Sequence, residues 1–266
     1  MSATTATPVQ HISEDVPGIP FARLVQVELR KMFNTRSGFW LMMSIGIVAV
    51  LATTIVMFVV PDEEIKFGTF GTAFGVPMAI LLPIIAILSV TSEWSQRTGL
   101  VTFTLSPHRA SVIGAKAVAS VLVGVVSMLI AFGIGAIGNV VGAAVNGVDV
   151  VWDFEAMDLV YITLANVFGL LIGFMLGILI RNSAGAIVAY FVYAFVAPSL
   201  LAILAAFQDW FEDLQPWIDF NYAQSALFNP GGPTGEEWGQ IGSSSLIWFF
   251  IPMAFGLWRV LKAEVK

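Results

Sequence analysis

Long apolar runs separated by short polar ones set the pattern of this chain. Six stretches, 39–60, 68–90, 117–145, 159–180, 185–207 and 243–258, contain no Asp, Glu, Lys, Arg or His. A helix needs about 20 apolar residues to cross a hydrocarbon core of about 30 Å, so the pattern predicts six transmembrane helices. The third stretch is long enough to tilt or to begin outside the bilayer. The last is the shortest, and it extends to Leu261 if Arg259 snorkels. Unbroken runs of this length exclude barrel strands, which alternate apolar and polar positions. The predicted fold is an all-α membrane protein, with a six-helix domain over 39–262.

A different periodicity precedes the first run. In Phe21–Asn34, helical spacing gathers Phe21, Leu24, Val25, Leu29 and Met32 on one face and Arg23, Gln26, Arg30, Lys31 and Asn34 opposite, with Val27 off the pattern. This reads as an N-terminal amphipathic helix over 21–38 in the membrane interface, its basic residues toward lipid phosphates. Glu28 falls within the apolar face. It either pairs with Lys31 or meets a partner protein. Residues 1–20 are polar and rich in Pro and Thr, and they read as a flexible cytoplasmic tail.

Composition narrows the class. The chain is 58% hydrophobic and 11% charged, against about 25% charged in soluble domains. That excludes an ordinary soluble enzyme or a nucleic-acid binder and makes membrane lipid the main solvent. Eleven of the 12 Lys and Arg residues fall in 1–38, 91–116, 181–184 and 259–266, and only Lys66 falls in the alternate loops. Those alternate loops, 61–67, 146–158 and 208–242, hold 13 of the 18 acidic residues. The positive-inside rule then places both termini in the cytoplasm. There is no Cys, and His11 and His108 are the only histidines, so no disulfide, thiolate site or multi-histidine metal centre is expected.

The loop 91–116 is unusually long and patterned. Glu93 and Arg97 stand one turn apart. Gly99 permits a break, Leu100–Leu105 is apolar and Thr-rich, and Pro107, His108, Arg109 and Lys116 lead into the third run. Two readings are open: a helical hairpin packed on itself, or a docking element for a cytoplasmic protein. Here the chain resembles the permeases of the type-2 ABC exporter family, of the actinobacterial kind. The residues that carry the likeness are Glu28–Lys31 with Thr35, Arg36 and Ser37; the run Ser92–Gly99; Thr104–Arg109; and Ala115 with Lys116. The likeness covers about 20–262 and includes the six-span topology. It implies a homodimer, or a heterodimer with a sibling permease, in the bacterial cytoplasmic membrane, bound to two ATPase subunits. It also implies that Glu93, Trp94, Arg97, Gly99, Pro107, His108 and Arg109, with Glu28, couple the chain to its ATPase.

The residues agree with a split system. No glycine is followed by lysine anywhere, so the phosphate-binding loop of a nucleotide hydrolase is missing. The chain is expected to be no enzyme and to hold no cofactor, with ATP and Mg on the partner ATPase. The charge-free spans speak against ion-coupled carriers, voltage sensors and intramembrane proteases, and no polar ring suits a channel. The expected function is the transmembrane permease subunit of an ATP-driven exporter for an apolar or amphiphilic substrate. The alternative is a non-transporting scaffold or immunity protein that binds a partner through 91–116.

Within the spans, Gly169, Gly173 and Gly177 recur at every fourth residue, and Gly138 and Gly142 form a shorter ridge. Such ridges let helices approach closely, within the chain first and between subunits second. Pro83 and Pro198 each free a backbone carbonyl and mark either a static bend or a hinge. Tyr190, Tyr193 and Asn166 are the notable polar groups, read as backbone partners or as part of a substrate path. In the outer loop 208–242, Trp210, Phe211, Leu214, Trp217 and Ile218 lie at helical spacing and predict an interfacial helix or hairpin.

Overall fold

The computed structural model describes residues 19–95, 109–229 and 231–262. Among them the chain is helical, with no strand. The helices are α1 (Phe21–Asn34), α2 (Arg36–Val59), α3 (Phe67–Ser95), α4 (Arg109–Asn146), α5 (Ala156–Ile180), α6 (Ser183–Phe207), α7 (Asp209–Ile218), α8 (Phe220–Gln224) and α9 (Gly235–Lys262). Six of these, α2 to α6 and α9, are long and apolar enough to cross a membrane. The protein is a multi-pass membrane protein of all-α architecture.

Hydropathy places the spans but not the helix ends. Helix α3 runs on to Ser95 and α4 starts at Arg109, so residues 91–95 and 109–116 of the expected loop are helical. The sixth helix starts at Gly235, eight residues before the expected 243. Backbone hydrogen bonding continues past the last apolar residue wherever the polar side chains find partners, and hydropathy does not record that. His11, Arg97, Gly99, Pro107 and His108 lie outside the described residues.

Helix α3 is the centre of the bundle, packed against α2, α4, α5 and α6. Its Phe70, Phe74, Met78, Leu82 and Ile87 are fully buried. Helices α6 and α9 turn rows of large apolar residues outward, among them Val188, Leu200, Phe207, Ile251 and Phe255, as helices facing lipid do. Between α1 and α2 the chain turns at Thr35, whose Oγ1 accepts the N–H of Gly38 at 3.1 Å. A side chain at Gly38 would collide with the Met32 carbonyl, so glycine is what lets the two helices meet at this angle. At the other end of the bundle, Asp153 Oδ1 accepts the N–H of Gly68 at 2.6 Å. There a carboxylate meets the positive end of α3.

Residues 209–218 form the helix that their aromatic spacing predicts. Helix α7 buries Phe211 and Gln215 and leaves Trp210, Leu214 and Trp217 exposed. Helix α8 then drops Phe220 and Ala223 into a second core, shared with Ile172, Met175, Tyr190 and Ile241.

Candidate functional site

Four charged side chains meet where α1 crosses the ends of α3 and α4. Lys116 Nζ donates to Glu28 Oε2 at 2.5 Å and to the Ser89 carbonyl at 3.3 Å, and it lies 3.1 Å from Glu93 Oε1. Lys31 Nζ donates to Glu28 Oε1 at 2.7 Å and lies 3.6 Å from Glu93 Oε1. Lys116, Glu93 and Glu28 are buried, and Lys31 closes the cluster from the half-exposed side. Two acids and two bases leave the group formally neutral, which is how a low-dielectric site tolerates such charges.

The members are not held equally. Glu28 takes a hydrogen bond on each oxygen, whereas Glu93 Oε1 sits at ion-pair distance from both lysines yet in line with no N–H. The sequence offered two roles for Glu28, a Lys31 pair or a partner protein. The structure turns it toward Lys31 and Lys116 of its own chain. Spacing suggested Arg97 for Glu93; Arg97 lies outside the described residues, and among those described Lys116 and Lys31 stand at ion-pair distance from Glu93. Nothing in local spacing links Glu28 to Lys116, 88 residues away. The available signal is that Glu28 falls within the apolar face of its helix and that Lys116 borders the third apolar run.

The surroundings tie further elements to this corner. Ser89 and Ser120 hydroxyls lie 3.1 Å apart, joining α3 to α4. The Thr91 and Ser183 hydroxyls lie 2.7 Å apart and join α3 to the start of α6. Trp94 lies on the side of α5, its ring 5.9 Å from the Arg181 guanidinium carbon. Arg109 opens α4.

The glycine ridge of α5 faces its own chain. A Cβ at Gly173 would lie 2.7 Å from the Pro83 carbonyl oxygen and 2.9 Å from Pro83 Cα, so the backbones of α5 and α3 touch there. Gly177 faces Ile87 and Val90, and Gly169 faces Pro83 and the Tyr190 hydroxyl. Gly138 and Gly142 of α4 make room for Phe70, with Thr53 and Met57 of α2.

Of the polar groups in the spans, Tyr190 is buried and donates to the Ala79 carbonyl at 2.6 Å. Its hydroxyl is therefore committed to backbone rather than to an open path. Asn166 donates to the Ile162 carbonyl at 2.9 Å, and its own Oδ1 is buried without a partner. The Tyr193 hydroxyl is likewise buried and unpaired, beside Trp248 with ring centroids 5.5 Å apart. Pro198 follows a π-helical turn, Val192–Val196, and Pro252 follows another, Leu246–Phe250. The turns themselves and the second proline were missed by reading periodicity alone.

Among the described residues, no group of acidic or histidine side chains is arranged to hold a metal ion. No family model matches the chain, and no curated protein matches it.

Proposed function

We propose that this chain is the transmembrane permease subunit of an ATP-driven exporter of the type-2 ABC kind, with both termini in the cytoplasm. A separate ATPase subunit energises it, and it moves an apolar or amphiphilic substrate. The observation that carries the reading is the buried ion-pair cluster. It fastens α1 to α3 and α4, the two helices that flank residues 96–108. A push on α1 or on that loop is passed directly into α3, and α3 is packed against four of the other spans. The six charge-free apolar runs suit a substrate that itself prefers lipid.

The test is affinity purification of the tagged chain from its native membrane, followed by reconstitution with the ATPase that accompanies it. Arg97→Glu is expected to leave membrane yield unchanged. It is expected to lower ATPase binding, substrate-stimulated hydrolysis and transport together, by about tenfold, as for a charge at the edge of a docking surface. Purification without an ATPase, but with another protein bound through 91–116, would replace this reading with that of a membrane scaffold. Unchanged coupling in Arg97→Glu would move the docking site away from the loop.

A further inference from the structure

Arg181 stands in an unusual position. It ends α5 in the left-handed region, with φ 55°, and its backbone N–H reaches the Gly177 carbonyl at 3.0 Å. Glycine normally fills this role because a side chain is strained there. Its guanidinium lies against the Trp94 ring, and Nε and Nη2 are buried with no hydrogen-bond partner. Among the described residues no carboxylate pairs with it: Glu93, next to Trp94, faces Lys116 and Lys31. The charged group whose field it feels, Arg259, is another cation. Gly256 brings α9 against Ile178 and Leu179 of α5, and one turn on from this contact lie Arg181 and Arg259. Burial first, and the Arg259 charge second, pull the Arg181 pKa below its ordinary value.

An unpaired, partly desolvated guanidinium next to a second one is costly. A doubly charged pair of Arg forks matches a phosphate oxyanion in geometry and charge. The surface around the pair faces lipid. Ile180, Phe255, Trp258 and Leu261 are all exposed. Arg259 lies over Phe255, and Lys262 Nζ is 4.9 Å from the Trp258 ring centre. Basic residues between helix ends with an aromatic rim are how membrane proteins hold anionic headgroups.

We infer that Arg181 and Arg259, with Lys262 at the rim, form a binding site for a phosphate oxyanion, supplied by the headgroup of an anionic phospholipid. The Arg181 fork is reached by turning its outer torsions, since the residue as a whole keeps part of its surface open. The site is separate from the Glu28 cluster and does not depend on the transport reading.

The experiment uses the full chain in phosphatidylcholine nanodiscs, with and without phosphatidylglycerol. Thermal midpoints are read by tryptophan fluorescence, and bound lipid is counted by native mass spectrometry. Phosphatidylglycerol is expected to raise the wild-type midpoint by a few degrees and to leave tightly held copies of the lipid. Arg181→Met should melt higher than wild type in phosphatidylcholine, because an unpaired charge is gone, and should lose most of the rise. Arg259→Gln should lose part of it, and Arg23→Gln, an exposed cation on α1, should keep it. If Arg181→Met does not fold, Arg259→Gln carries the reading. An equal, Arg181-dependent rise with inorganic phosphate in phosphatidylcholine keeps the oxyanion site and assigns it to soluble phosphate. A full phosphatidylglycerol response in both Arg181→Met and Arg259→Gln overturns the site. So does a response that appears only in Glu264→Gln, which would mean that the chain's own carboxylate occupies it.

Discussion

The Tyr190 hydroxyl lies 2.6 Å from the Ala79 carbonyl oxygen. That carbonyl is the one an α-helix would pair with the N–H of residue 83, and residue 83 is proline. A side chain from α6 thus replaces the hydrogen bond that Pro83 removes from α3. In a membrane such replacement is what makes an internal proline tolerable. Tyr190→Phe is expected to cost about 1 kcal/mol, the scale of one such bond in a membrane protein. Pro83→Ala returns the missing N–H, so Tyr190→Phe should cost much less in that background. A double-mutant cycle of thermal midpoints in detergent checks this; equal costs in both backgrounds would refute it.

The spacing of α5 against α3 sets a graded series. A Cβ at Gly173 would meet the Pro83 backbone at 2.7 Å, at Gly177 the nearest atoms are at 3.4 Å, and at Gly169 the Tyr190 hydroxyl is at 3.6 Å. At Gly177 the nearest atoms, the Ile87 carbonyl oxygen and Val90 Cβ, stand at ordinary contact distance; only at Gly173 would a Cβ fall within 3 Å of backbone, which cannot rotate away. Gly173→Ala is therefore expected to cost about 1–3 kcal/mol as overpacking, Gly177→Ala less, and Gly169→Ala close to nothing. The ridge is used up inside one chain, so chemical crosslinking between copies should not change in Gly169→Ala. A flat stability series would mean that α3 and α5 do not touch along the ridge.

These relations mark where sequence reading stops. The six spans are legible because each needs only a long charge-free run, a local property of the sequence. Helix α7 is legible for the same reason, through its aromatic spacing. The glycine ridge signals a close neighbour but not its identity, and Pro83 signals a freed carbonyl but not its donor. Ala79 and Tyr190 are 111 residues apart, and no periodicity connects them. The charges Glu28 and Lys116 are equally remote in sequence. They become partners only once α1 is laid across the bundle, which is a matter of packing.

Within the charged cluster, the geometry predicts an order. Lys116→Met leaves the Glu28 and Glu93 carboxylates buried near each other, and breaking a buried pair in this way costs about 3–5 kcal/mol. Glu28→Gln keeps the shape and loses one charge that takes two hydrogen bonds, so it should cost less. Glu93→Gln should cost least, because Glu93 Oε1 is in line with no donor. Unfolding midpoints in mild detergent would read this order directly. A Glu93→Gln variant weaker than Lys116→Met would show that attraction at 3.1 Å outweighs alignment.

Orientation can be tested without background, because the chain has no cysteine. Asp213 is exposed on α7 and Arg30 is exposed on α1. A membrane-impermeant maleimide is expected to label Asp213→Cys in intact cells and Arg30→Cys only after permeabilisation. The opposite result would invert the topology and remove α1 from the cytoplasm.

The π-helical turn before Pro198 has its own lock. This turn, Val192–Val196, closes with a five-residue reach, the Ala197 N–H donating to the Val192 carbonyl. The next donor in that register would be residue 198, which is proline, so the Tyr193 carbonyl is left over. Asn221, from helix α8, donates its Nδ2 to that oxygen at 3.3 Å. The device is the one seen at Ala79, with the donor coming from the short helix α8 rather than from a span. One long hydrogen bond holds the turn loosely, since such a bond is worth about 1 kcal/mol. Asn221→Ala should therefore loosen α6 without unfolding the bundle. Hydrogen exchange across 192–204 is expected to quicken by about fivefold, with α3 unchanged, and the global midpoint is expected to move little. Adding Pro198→Ala should slow the exchange again by restoring a donor. If exchange in 192–204 is the same with and without Asn221, the π-helical turn is held by packing alone and is a static feature of α6.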